Sequence, residues 1–424
     1  MKNHTLERIV QGASCIAIGL VALQGWLFPA PSNGAQAAGE HTGVESAAAV
    51  TAVPAGGGHV RSIEADGTVI CRHATHEEML ELVRRDPTQT LHVITPTDPQ
   101  ELPSGLRIIL RATEQLEQFL QAREGFMRAA QIWENLIASP ITVVIDVDFG
   151  PTRFGMPYPD PGILGAARSQ DLVGEIYPEV RNALIAGASS TAERALYEAL
   201  PVEQIPTELG NTALIEAPSA ILRALDLIPR VANPAQELET FGEVPSIGFN
   251  SAFDFDFNPE DGIDFDKHDF ISVALHEIGH ALGFASANGL EELLARQPDA
   301  PPVLTIWDLF RFRPSAGFEF TTALRSLISG GEQVFFADGP ELSLSTDGFA
   351  GPRGDGRQSS HWKDDDLSGF YLGIMDPTLP QGRRVFITDS DLMALDAMGY
   401  TIQNDQPPVA LQADDHTVSI SSVR

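Results

Sequence analysis

Across 424 residues the chain carries 58 Asp+Glu against 27 Lys+Arg, and its net charge of -31 leaves no basic face for nucleic acid or an anionic membrane. Hydrophobic residues at 43% and charged residues at 20% are ordinary for a soluble globular protein able to bury a sizeable core. The length allows two or three average domains, or one of about 250–300 residues with flanking segments.

The chain begins with Lys2 and Arg8, continues ASCIAIGLVALQGWLF and reaches Ala35-Gln36-Ala37. A charged start, an apolar core and a small-residue cleavage site follow the order of a secretory signal over residues 1–37, with an uncleaved anchor as the alternative. No later stretch is long and apolar enough to span a bilayer, so no membrane partner is expected after cleavage. Cys15 leaves with the signal, and Cys71 then has no partner for an intrachain disulfide.

Residues 38–60 are Ala/Gly-rich and read as a flexible linker. RSIEADGTVICRHATHEEMLELVRRD predicts one short strand and then a helix, with Thr75 and Glu78 at capping-box spacing. His73 and His76 read as solvated residues at that helix start. TPTDPQELPSG is a Pro-rich boundary. RIILRAT then predicts a strand, TEQLEQFLQAREGFMRAAQIWENLIA a long amphipathic helix, and ITVVIDVDFG a strand over 141–149.

From 150 to about 245, Pro/Gly loops alternate with helical patches at 179–192 and 213–227. SIGFNSAFDFDF alternates as a strand. The run DFDFNPEDGIDFDKHD gathers Asp254, Asp256, Asn258, Glu260 and Asp261, whose alternate oxygens suit Ca2+. The glycine and terminal glutamate of an EF-hand loop are not matched, so a solvated acidic loop competes with calcium binding. Near the far end, 389–398 predicts a closing helix, with Thr388 as cap and Gly399 as terminator.

The helix ending ALHEIGHALGFAS carries the chemistry. His276 and His280 lie ~400° apart around it, so both rings leave one face, a turn apart, and can reach one ion. Glu277 is rotated by ~100° and is placed to take a proton from a water activated at that ion. Asp269 is the candidate N-cap and Gly283 the C-cap. Gly279 costs about 1 kcal/mol against Ala in mid-helix, which points to close approach by another segment or a substrate. The competing reading is two satisfied core histidines.

A zinc ion acting as a Lewis acid needs a third protein ligand. The spacing follows His-Glu-x-x-His-x-x-Gly through Gly283, but Ser286 stands where a third histidine would extend it, and a hydroxyl is a poor zinc ligand. Glu291 and Glu292 are near but have no evident helix to present them. The later histidines are His361 and His416, and His416 lies in the Pro-broken tail. His361, in SSHWKDDDLSGFYLGIMDPTLP, is therefore the expected ligand, with Asp364, Asp365 and Asp366 as competitors.

HEIGHALGF, an insertion over about 285–360, SSHWK, IMDP and a closing helix ending in Gly-Tyr together resemble the leishmanolysin-type metallopeptidases, a branch of the metzincins. Bacterial secreted metalloproteases of similar layout are also similar. The resemblance covers about 269–400 by motif. It implies that His276, His280 and His361 bind one catalytic Zn2+, that Glu277 is the general base, and that Met375 floors the site as a methionine turn, against the reading of an ordinary core methionine. Pro377 stands where some metzincins keep a tyrosine, so the oxyanion stabiliser beyond the zinc is unassigned. Cys71 is a candidate latency ligand, a thiolate in the water's place, against an inert buried thiol.

The expected architecture is α+β, a metzincin-like zincin with a twisted mixed sheet over two long helices and a cleft between two subdomains. SIGFNSAFDFDF or GILGAARS is the expected edge strand for an extended peptide. The expected layout is a signal at 1–37, a linker and pro-like region at 38–103, a catalytic domain at 104–400 and a tail at 401–424. The expected function is that of a secreted zinc endopeptidase acting on proteins or peptides through a zinc-activated water. The alternatives are an exported zinc hydrolase of a non-peptide substrate, and a non-catalytic surface protein with a structural zinc.

Overall fold

Most of the apolar runs become strands of one eight-stranded mixed sheet in the computed structural model, which describes residues 58–64, 67–95, 103–169, 173–258, 260–289, 301–314, 319–347 and 354–403. The expected signal with Cys15, the linker up to residue 57, Glu291, Glu292, His416 and the tail from 404 lie outside the described residues. The chain divides into Met1–Pro54 and Ala55–Arg424, and every described residue belongs to the second unit. No helix among the described residues is long and apolar enough to cross a membrane.

The elements that position the site are, in chain order, β1 (Gly58–Ile63), β2 (Val69–His73), α1 (His76–Leu82), β3 (Leu91–Val93), β4 (Arg107–Thr113), α2 (Leu120–Leu136), β5 (Thr142–Gly150), β6 (Ile163–Arg168), β7 (Ser246–Asn250), α3 (Phe270–Leu282), β8 (Thr378–Leu379) and α4 (Asp389–Ala397). In space the strands run β8-β2-β1-β6-β7-β5-β4-β3. The β7–β5 and β5–β4 pairs are parallel and the others antiparallel. The coarse class is therefore α+β with a large mixed sheet.

The core follows from side-chain periodicity. All nine residues of β5 are buried, as expected for a strand covered on both faces. α2 packs on α3, with Trp133 Nε1 donating to Leu275 O at 3.0 Å. Phe126, Phe249 and Phe270 meet with ring centroids 5.0–5.4 Å apart, the Phe270 contacts edge to face. Gly125 makes room for this packing, since a Cβ there would lie 2.4 Å from Phe270.

Several expectations change. The single strand expected before α1 is a hairpin, because Gly67, at φ +90°, turns the chain between β1 and β2. β1 begins at Gly58, within the segment expected as linker, and β1 and β2 belong to the main sheet. The 179–192 patch becomes two helices, Tyr177–Gly187 and Thr191–Ala199, the second capped by Ser190. In the 213–227 patch, Leu214–Ala217 is a strand paired with Val173–Ile176, and only Ser219–Ala224 is helical. Pro218 biases the residue before it toward extended backbone, which ends the strand and opens the helix. GILGAARS forms β6 in the sheet interior, between β1 and β7, and the strand expected over SIGFNSAFDFDF stops at Asn250. Neither offers a free edge.

Candidate metal centre

α3 is buried along its whole length and places His276 and His280 on one face. It ends at Gly283, whose φ of +130° suits glycine. His276 Nδ1 donates to Ile374 O at 2.7 Å, His280 Nδ1 to Phe284 O at 2.7 Å, and His361 Nδ1 to Gln358 O at 3.0 Å. A carbonyl can only accept, so each neutral ring carries its proton on Nδ1 and turns an Nε2 lone pair inward. His276 Nε2 is 3.1 Å from both His280 Nε2 and His361 Nε2.

Acceptor pairs at that distance with no proton between them repel, and a cation removes the repulsion. Protonation is opposed: all three rings titrate well below the usual imidazole range, chiefly through burial. The next-largest contribution is Arg61 for His276, His361 for His280 and His59 for His361. Tetrahedral zinc with nitrogen bonds of ~2.05 Å would set its nitrogens about 3.3 Å apart, so the donors fit. Cys71 Sγ completes the group, 3.9 Å from His280 Nε2, and all four ligand atoms lie within 4.8 Å of one another.

His361 arrives from 85 residues beyond His276, held by a network anchored on Arg311. The buried Arg311 guanidinium bonds Asp308 at 3.2 Å, Gln333 at 2.7 Å, Ser345 O at 3.1 Å and Ser359 O. Ser286 serves the same loop: its amide donates to Ser360 Oγ at 3.0 Å, and its hydroxyl donates to Asp308. Ser286, at the position where the extended motif would carry a histidine, thus helps hold the loop that bears His361. Trp362 N donates to Met375 O at 3.0 Å, tying this loop to the methionine segment. Met375 is fully buried against α3, and a Cβ at Gly279 would sit 2.5 Å from its Sδ. This is the close approach that Gly279 suggested.

Glu277 is 1% exposed, and burial pushes its carboxyl above the usual range, with Arg61 pulling in the other direction. Arg61 Nε donates to Glu277 Oε1 at 2.7 Å, while Oε2 has no hydrogen-bond partner among the described residues. Arg61 and Cys71 face each other across the β1–β2 ladder, as do His59 and His73. Side chains at period two share a face, so all four point to one side of the hairpin. His59 stacks on His280 with centroids 3.9 Å apart. Arg61 and His59 were missed from sequence, because strand pairing rather than local spacing brings them here.

The other candidates stand apart. The Asp364, Asp365 and Asp366 carboxylates form their own group, separate from the histidines. Asp364 is engaged with Arg357 at 2.6 Å and with Thr378 at 3.2 Å. In the acidic loop, Asp256 accepts the amides of Asn258 and Asp264, both at 2.9 Å, and so shapes a turn. Asp254 and Asp261 do not join it in any cluster of metal-type side chains among the described residues. His73 is partly exposed, 3.6 Å from the Asp347 carboxylate. Asp269 precedes α3, its carboxylate taking the Ser272 hydroxyl at 2.6 Å. Among the described residues no open cleft reaches the histidines, which are all at most 2% exposed, with His59 of the hairpin stacked on His280.

Fold and site together define an α+β protein with a buried three-histidine, one-cysteine cluster beside a buried glutamate. The chain matches no known family, no curated protein and no solved structure.

Proposed function

We propose that the chain is an exported zinc endopeptidase of the metzincin type, with His276, His280 and His361 as metal ligands and Glu277 as general base. The observation that supports it best is the inward convergence of three Nε2 lone pairs beside the unpartnered Oε2 of Glu277. Zinc held there supplies Lewis-acid polarisation and lowers the pKa of water toward about 7. Glu277 accepts the proton of the attacking water and delivers it to the leaving amine, a role suited to a carboxyl whose affinity for protons burial has raised. The backbone carbonyls of Ile374, Phe284 and Gln358 fix the imidazole orientations, and Met375 packs beneath α3. Export rests on the signal-like residues 1–37, and the substrate class, proteins or peptides, on the motif resemblance.

On this reading Cys71 would take the fourth position, and the form described would be a latent one. The same closure favours a second reading, a non-catalytic exported protein whose N3S site holds a structural zinc. The two separate in one experiment on the purified chain, reading zinc content and casein cleavage. The peptidase reading expects cleavage by the form with Cys71 and Arg61 both replaced, which a chelator stops and zinc restores. Added to that form, Glu277→Gln should retain the metal and lose about 100-fold or more of the rate. No cleavage by any form, including one with Cys71 and Arg61 both replaced, rejects it.

A further inference from the structure

The β1–β2 hairpin is sewn to both banks of the site. On one side β1 pairs with β6 from Gly58↔Arg168 to Ser62↔Ile163. On the other, β2 pairs with β8 just after Met375, and Cys71 N donates to Pro377 O at 2.7 Å. Toward α3 it sends Arg61, 1% exposed, whose partner Glu277 lies 216 residues away. Both charges have left water, so removing either strands the other uncompensated, and each holds the other in place.

Resting on the hydrolytic reading above, we infer that the hairpin is a two-point lock: Cys71 closes the fourth metal position while Arg61 independently occupies the general base, so that displacing the thiol alone leaves the site shut. Arg61 acts here as a positioning residue. It takes the carboxylate oxygen Oε1 and anchors β1 over α3, and β1 in turn keeps β6 paired on both edges. Because Arg61 and Cys71 are cross-strand partners, opening must lift both together. The chemistry that opens the site is therefore displacement of a strand rather than oxidation or ligation of one sulfur.

The test uses the full chain as wild type, Cys71→Ser, Arg61→Met, the double variant and Arg61→Lys. Backbone hydrogen exchange over 58–73 and 163–168 is followed alongside casein cleavage. Arg61→Met should speed exchange in these two segments at least about tenfold while α2 and β5 stay protected. Arg61→Lys should restore slow exchange, and only the double variant should cleave casein. Exchange in Arg61→Met that matches wild type overturns the lock. So does acceleration spread equally through α2 and β5, which marks a merely structural arginine, and so does full activity of Cys71→Ser alone. A double variant whose hairpin opens but which cleaves nothing sustains the lock and rejects the peptidase reading instead.

Discussion

Gly279 sits in the middle of α3, where alanine would favour the helix by about 1 kcal/mol. The added carbon would meet the fully buried Met375 Sδ at 2.5 Å, and overpacking a dense core costs about 1–3 kcal/mol. Gly279→Ala should therefore lower stability by about 1–2 kcal/mol in denaturant titration. Adding Met375→Ala should recover part of that loss, and additive effects would reject the contact. Residues with local signatures were readable from sequence: His276, Glu277 and His280 by helical spacing, and His361 by the scarcity of other histidines downstream. Arg61 was not, since nothing near position 61 announces a carboxylate 216 residues away.

At the level of elements, the loop bearing His361 owes its position to one buried cation. Arg311 joins Asp308, Gln333, Ser345 and Ser359, so it clamps the insertion to the residue two before His361. Arg311→Met leaves Asp308 buried without its cation and should cost about 3–5 kcal/mol. If the cluster holds zinc as proposed, its affinity should fall too, measured by competition with a chromogenic chelator; unchanged affinity would make the clamp irrelevant to the site. Elements with clean periodicity, such as β4, β5 and α3, were readable within a few residues, whereas α2 starts at Leu120, well inside the run expected from Thr113. The 213–227 segment was not, because its apolar run serves first a strand and then a helix around Pro218, and periodicity alone does not find the switch. The hairpin was half-read. Its composition resembled the preceding linker, and only pairing with β6, about a hundred residues later, makes β1 a strand.

For the whole molecule, the acidic surplus of -31 is joined by carboxyls buried in the fold. Burial pushes Asp376 up to about 7, with the neighbouring Asp365 and Asp364 adding to the effect, and Asp391 and Asp396 up to about 6. Between pH 4 and 7 the native state keeps a proton on Asp376 that the unfolded chain has released. More protons bound in the native state mean that stability rises as pH falls through that window. The gain from Asp376 is at most about 4 kcal/mol. Asp376→Asn should flatten the stability profile between pH 7 and 4 by part of this amount, and an unchanged slope would place the carboxyl in water. Glu78, held below the usual range mainly by Arg72, pulls the other way.

The packing of the tryptophans gives the molecule an optical property of its own. Trp133, Trp307 and Trp362 are fully buried, and Trp26 belongs to the expected signal segment. Trp362 follows His361 directly and lies 4.9 Å from Trp307, while the Trp133 indole is bonded to the backbone of α3. Every indole among the described residues therefore sits in a dry setting beside the helix or the loop that carries the imidazoles. The intrinsic ultraviolet fluorescence should be blue-shifted at rest, and any loosening of those supports should redden it without an attached dye.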